Sequence, residues 1–172
     1  NQETVITPIG PKARFLNKDN QYNGKSVNQL AYMEQQGVLV GVPEDLESID
    51  TVPAWDDPAA DLQNRAKGYL DANCAHCHSP GGFASNSALF LEYWREVDTS
   101  YGICKTPVAA GAGSGGLRFD IVPGDADASI TTYRMNSNEP DVRMPEIGRS
   151  VIHEEGVGLI REWINSLHGN CE

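Results

Sequence analysis

The chain carries Cys74-Ala75-His76-Cys77-His78, a C-x-x-C-H motif from which the rest of the sequence is best understood. Two thiols three positions apart on one tight turn can each form a thioether with one vinyl group of the same porphyrin. The histidine that follows then lies beneath the iron. The motif predicts one covalently bound haem c, with Cys74 and Cys77 as the thioether residues and His78 as the proximal iron ligand.

Two cysteines at this spacing also occur in zinc sites and in redox dithiols. A zinc site needs a second cluster of Cys or His at suitable spacing, and the sequence has none. A thioredoxin-like dithiol needs a βαβ context, whereas the flanks of this motif have helical and loop-like patterns. Both interpretations fit the sequence less well than haem attachment does.

Hydrophobic periodicity predicts a mainly α chain. Ser26 and Gln29 have the spacing of a capping box, and Asp57-Pro58 suits the start of the helix that leads into the motif. Residues 1–25 lack periodicity, residues 38–58 look like a loop, and residues 86–96 fit a short helix or a strand equally well. The predicted helices span about residues 27–36, 58–73, 127–136 and 151–167.

Charge and hydropathy limit the partners of the chain. The net charge of −11 over 172 residues argues against nucleic acid and anionic membranes and favours a partner with a basic patch. No Lys or Arg lies between Lys25 and Arg65, and the acidic residues there suit either a solvated surface or a docking patch. No apolar run is long enough to span a membrane; the longest is 38–42.

Two cysteines, Cys104 and Cys171, remain outside the motif. In an exported protein they are most simply a disulfide, and two free thiols are the alternative. The chain-entropy treatment assigns such a closure about 4 kcal/mol of stability. The chain begins at Asn1 without a signal peptide, so we expect a mature or excised form.

Residues 102–124 are rich in glycine. Gly111, Gly113 and Gly116 match the spacing of a dinucleotide fingerprint, but no apolar strand precedes them and no helix follows. Nucleotide binding is therefore rejected. The segment is better explained as backbone that packs against a flat ligand such as haem.

A helix leading into C-x-x-C-H, a loop with Met144-Pro145 and an amphipathic last helix resemble class I cytochrome c. In that family the distal ligand is a methionine upstream of the last helix, and Met144 occupies that place. Gly68-Tyr69 and Trp163 occupy the places where the two terminal helices of the family cross. The resemblance implies a cytochrome c-like helical fold around one haem, with the haem domain at 58–172 and an N-terminal extension at 1–57 packed on it.

The similarity extends to a family of exported bacterial c-type haem proteins of uncertain role, in which such a module forms the C-terminal part. It covers roughly residues 60–170 and implies haem and export, so a periplasmic or extracellular location is expected. The segments that carry it are 70–78, 101–105, 122–125 and 143–145.

Other residues are weaker candidates for the site. Met135 is the runner-up for the sixth ligand, although a methionine within a helix usually fills the core. Among the histidines, His153 is the candidate for a bis-histidine site. His76 is expected to face solvent, and His168 to lie at the surface. Candidates to pair with the haem propionates are Arg118, Arg143 and Arg149.

A His/Met pair predicts low-spin iron that exchanges electrons with a redox protein or enzyme, without a substrate of its own. The same haem could also serve as the electron-transfer domain of a larger oxidoreductase. The alternative is a haem enzyme or a gas-binding sensor with an open or displaceable sixth ligand.

Overall fold

The computed structural model describes residues 10–108 and 110–172, which divide into two compact units. The first unit ends at Pro53 and the second is Ala54–Glu172. Helix makes up only 34% of the described residues and strand 9%, so the predicted mainly α, cytochrome c-like helical fold is wrong. Many of the 17 glycines and 10 prolines lie in long irregular stretches between the helices, where they oppose regular structure.

The first unit is built around a β-hairpin. Its strands pair antiparallel, with Tyr22 opposite Lys25, and the Asn23-Gly24 turn has φ values of 51° and 77°. The prediction of irregular structure at 1–25 is wrong for the residues that form these elements, and residues 1–9 lie outside the described part. The elements of this unit are α1 (Ala13–Leu16), β1 (Asp19–Tyr22), β2 (Lys25–Asn28), α2 (Gln29–Gln35) and a 3-10 turn (Leu46–Ser48).

Helix α2 begins two residues later than the capping-box pattern predicts. Its N-cap is Asn28, whose Oδ1 accepts a hydrogen bond from the backbone N–H of Leu30 at 2.9 Å. Ser26 instead pairs with Gln21 in the hairpin. Ser26 therefore belongs to strand β2 and does not cap the helix.

Residues 54–108 and 110–172 of the second unit form three helices and three 3-10 turns. Helix α3 packs against α5, and α4 packs against both α5 and the turn Gly111–Ser114. The sequence does not decide between a helix and a strand for residues 86–96. In the structure they form neither, apart from residues 86–87, which end a 3-10 turn. The elements are α3 (Leu62–Asn73), α4 (Ile130–Met135), α5 (Glu154–Ser166) and the turns Ser85–Ser87, Thr99–Tyr101 and Gly111–Ser114.

All three of these helices start later than their patterns predict. Asp61 caps α3 by accepting from the N–H of Asn64 at 3.0 Å, whereas Asp57 accepts from Ala59 in a separate turn. Helix α5 begins at Glu154, and Val151, which precedes it, is 71% exposed. Of the three helices, only α3 has a side-chain cap; Ser129 and His153, which precede α4 and α5, make no capping hydrogen bond through their side chains.

The core of the second unit forms where α3 and α5 meet. A Cβ on Gly156 would lie 2.2 Å from Oη of Tyr69, so the two helices approach closely at this pair. This is a small-residue contact between the two helices, and Gly68 is also buried within α3. The buried apolar residues are Ala66, Leu70, Ala75, Leu91, Tyr101, Ile121, Ala126, Met135, Val157, Leu159, Ile160, Trp163 and Ile164.

Cys104 and Cys171 form a disulfide, as predicted, with a Cα–Cα distance of 5.2 Å. The bond joins the end of the chain beyond α5 to a segment whose backbone pairs with the buried Ile121.

Within residues 10–108 and 110–172, no helix is both long and apolar enough to cross a membrane.

Candidate functional site

Helix α3 leads directly into the C-x-x-C-H motif. The N–H of Cys74 donates to the carbonyl of Leu70 at 2.8 Å and closes the last turn of the helix. The N–H groups of Cys77 and His78 then both donate to the carbonyl of Cys74, at 3.1 and 2.9 Å. The motif is therefore one tight turn that continues the end of the helix.

Both thiols of the motif are free and partly buried. Burial raises the pKa of Cys74 to about 12, and the charges of Cys77 and Asp71 act in the same direction. Burial also raises the pKa of Cys77, with a further contribution from Glu146. Reactive redox dithiols have a lowered pKa instead, so this pair lacks the electrostatics of a thioredoxin-like site.

The imidazole of His78 is oriented by Ser87. Nδ1 lies 3.4 Å from Oγ of Ser87, whose own hydrogen is donated to the carbonyl of Ala84 at 2.7 Å. The Nδ1–H tautomer satisfies this contact, and in that tautomer Nε2 is the unprotonated nitrogen. Burial lowers the pKa of His78, which favours the neutral imidazole that binds a metal.

A glycine packs directly on the motif from the turn that follows it. A Cβ on Gly82 would lie 2.1 Å from the carbonyl oxygen of Cys77, a distance that no side chain can occupy. The same carbonyl accepts from the N–H of Ala84 at 3.0 Å. The turn after the motif therefore packs against the motif's own backbone.

The loop that bears Met144 lies beside the motif. The charge of Glu146 raises the pKa of both Cys77 and His78, although burial is the larger influence on each. Met144 itself is partly buried, and its N–H donates to the carbonyl of Arg134 at 3.0 Å. Met135, the runner-up, is only 5% exposed and belongs to the hydrophobic core.

The histidines outside position 78 have other surroundings. His153 lies at the start of α5, with Nδ1 3.0 Å from Oη of Tyr69 and its ring edge-on to Trp55. His76 is partly buried and its Nδ1 is shielded from solvent, so the prediction that it faces solvent is wrong. His168 is exposed, as predicted.

Of the three arginines proposed for the propionates, Arg149 acts electrostatically on Cys74 of the motif. Its charge lowers the pKa of Cys74, opposing the larger effect of burial, and its guanidinium donates to the carbonyls of Met135 and Ser137. Arg118 donates to the backbone of Glu172 at 3.3 Å, and Arg143 donates to the backbone carbonyl of Glu146 at 3.3 Å.

The buried donors that have no hydrogen-bond partner within the described residues include two on aromatic side chains. They are Oη of Tyr101 and Nε1 of Trp163, whose rings meet edge to face with centroids 6.1 Å apart. The Cys74 thiol contributes to the raised pKa of Tyr101, after burial, so this phenol lies near the motif. Buried donors of this kind need an acceptor, such as an ordered water or a carboxylate of a bound group.

These groups fit a covalent haem. The turn supplies two unbridged thiols, a neutral imidazole with Nε2 unprotonated, and a nearby loop that bears a thioether. Among the described residues, no group of three or more His, Cys, Asp or Glu is gathered to hold a metal ion.

Sequence reasoning missed Ser87, Arg134 and Glu146. Each acts on the motif from nine or more positions away along the chain, and none belongs to a motif of its own. Only the folded loops bring them to His78.

Comparisons with family models, with curated proteins and with solved structures found no match to this chain. The likeness to cytochrome c accordingly remains a prediction from the motif.

Proposed function

We propose that the second unit binds one haem c covalently through Cys74 and Cys77 and uses it to transfer electrons. The observation that carries the proposal is the turn at the end of α3. It presents two free thiols, together with an imidazole whose Nδ1 is already engaged by Ser87. A histidine held in this way offers Nε2 to a metal, because the second hydrogen bond fixes both its tautomer and its orientation.

The sixth ligand in this proposal would be Sδ of Met144. It favours the ferrous state and gives a low-spin iron that changes oxidation state with little rearrangement. The nearness of Glu146 to Cys77 supports the choice of this loop, and the burial of Met135 in the core makes the runner-up less suitable. The haem, when bound, supplies the one-electron chemistry. The residues of the chain hold it, orient the imidazole and set its surroundings.

The proposed partners are a redox protein or the remaining domains of a larger oxidoreductase. A net charge of −11 favours a partner with a basic docking patch and disfavours nucleic acid. We place the protein outside the cytoplasm, and the Cys104–Cys171 disulfide supports that location because such bonds persist in oxidising compartments.

Covalent attachment is tested by expressing the chain in a bacterium that matures c-type haem proteins and measuring its mass after denaturation. The wild type should retain one haem, and replacing both cysteines, as in Cys74→Ser with Cys77→Ser, should abolish attachment. The Cys104→Ser variant is the matched control and should still carry haem. A wild type that loses all haem on denaturation would overturn the proposal.

If the attached haem is high-spin and binds carbon monoxide or cyanide readily, the protein is a haem enzyme or a gas sensor instead. In that event the covalent attachment stands and electron transfer does not.

A further inference from the structure

Three segments of the second unit meet at Arg134, near the end of α4. Nε of Arg134 donates to the carbonyl of Val142 at 2.8 Å. The carbonyl of Arg134 accepts from the N–H of Met144 at 3.0 Å. The side chain and the backbone of one residue thus both hold the loop that bears Met144.

The glycine-rich segment forms the third side of this junction. A Cβ on Gly113 would lie 3.1 Å from Cζ of Arg134 and 3.2 Å from the carbonyl oxygen of Asp141. Gly113 is buried, and its turn packs against α4. A side chain at this position would press on the guanidinium and on the loop at the same time. The absence of a side chain therefore lets the three segments close together.

The junction includes the loop that the proposal assigns to the sixth ligand. Arg134 is partly buried, and it holds that loop through Val142 and Met144. The loop contains no helix or strand from residue 137 to residue 150, so such contacts take the place of regular structure in holding Met144. An irregular segment of this length loses much conformational entropy when it is ordered. Each contact that spans it reduces the number of alternative conformations.

We propose that Arg134 and Gly113 form a clasp that holds the Met144 loop against the haem site, which makes Arg134 a positioning residue for the sixth ligand. The inference rests on the proposed function, because Met144 has to be positioned only if it binds the iron. It also gives the glycine-rich segment a role other than the predicted packing against the haem itself.

The test combines two measurements on the intact protein with haem attached. Hydrogen exchange, read by mass spectrometry on the peptide that contains Met144, reports the order of the loop. The affinity of the ferric protein for cyanide reports how readily the sixth ligand is displaced. In Arg134→Gln both should rise by about tenfold or more, the range expected when a hydrogen bond from a charged donor is lost.

Two further variants separate the clasp from a simple effect of charge. Arg134→Lys keeps the positive charge but lacks the Nε–H donor, so it should behave like Arg134→Gln. Gly113→Ala should act in the same direction, because the new Cβ presses on the guanidinium. The matched controls are Arg161→Gln and Gly158→Ala, since Arg161 pairs with the exposed Asp127 and a Cβ on Gly158 meets nothing within 4 Å.

The outcomes distinguish the clasp from the function it serves. Wild-type values in Arg134→Lys, or no difference between Arg134→Gln and its control, would overturn the clasp and leave haem attachment standing. Faster exchange in a protein whose wild type shows no methionine–iron bond would overturn the positioning role. Faster exchange together with tighter cyanide binding, in both Arg134 variants, supports it.

Discussion

Removing the Cys104–Cys171 disulfide should lower the free energy of unfolding by an amount that depends on the length of chain the bond closes. The bond joins residues 67 positions apart. For a loop of that length, the chain-entropy treatment gives a loss of about 4 kcal/mol in the free energy of unfolding. The loss should fall on the second unit, because Cys104 donates its N–H to the carbonyl of the buried Ile121 at 2.9 Å.

The assay is denaturant unfolding of Cys104→Ser, Cys171→Ser and the double variant, each with haem attached. Because either substitution removes the whole cross-link, the single and double variants should lose the same 4 kcal/mol or so. In thermal unfolding the midpoint should fall by roughly 10–20 °C for a unit of this size.

A loss below about 1 kcal/mol in all three variants would refute the cross-link account, since native disulfides in small domains contribute 2–5 kcal/mol. A double variant that loses twice as much as each single one would also refute it, because the two cysteines would then act independently.

Two further predictions concern the haem-site turn and a buried ion pair. Gly82→Ala should destabilise the second unit by about 2 kcal/mol, because the new Cβ would meet the carbonyl of Cys77 at 2.1 Å. Gly81→Ala, with nothing within 4 Å, is the control in the same denaturant assay, and equal losses would contradict the reasoning. Burial raises the pKa of Asp120 despite its pair with Lys105 at 3.4 Å. The folded state then binds that proton more tightly than the unfolded state. This contribution to stability should therefore be lost as pH rises from about 3.8 to the raised pKa. Asp120→Asn should remove the decline in a pH series of unfolding free energies, and an unchanged pH profile would count against the assigned pKa direction.

The helix that leads into the motif was predictable because its apolar face is regular. Ala66 and Leu70 are fully buried, as the 3.6-residue period requires, and Tyr69 packs on the same core. The prediction failed at the start of the helix, where Asp57 and Asp61 are both suitable caps. The sequence pattern does not distinguish them, and the turn that Asp57 forms with Ala59 leaves the cap to Asp61.

The hairpin of the first unit was missed although its signal is present. Asn23-Gly24 is a strong turn dipeptide for a hairpin, and both residues have positive φ in the structure. The polar composition of its strands hid the signal, because residues 19–22 do not alternate between apolar and polar. The capping-box pattern at Ser26 then pointed to a helix where the second strand lies.

The attachment motif was readable from the sequence, but its surroundings were not. The motif is local, since both thiols and the imidazole fall within five residues. Ser87 and Glu146 act on it from segments with no regular period, and Arg134 acts on it from the short helix α4, so no pattern in the sequence predicts that they meet. The long irregular stretches between the helices are also why the mainly α prediction failed.

The most direct test of the account is the visible spectrum of the ferric protein, compared between wild type, Met144→Ala and Met33→Ala. Met33 lies in α2 of the first unit and is the matched control. The account predicts a covalently attached, low-spin haem whose weak far-red iron–sulfur band is lost in Met144→Ala and retained in Met33→Ala. A low-spin spectrum that is unchanged in Met144→Ala would contradict the assignment and move the sixth ligand to Met135 or to a histidine.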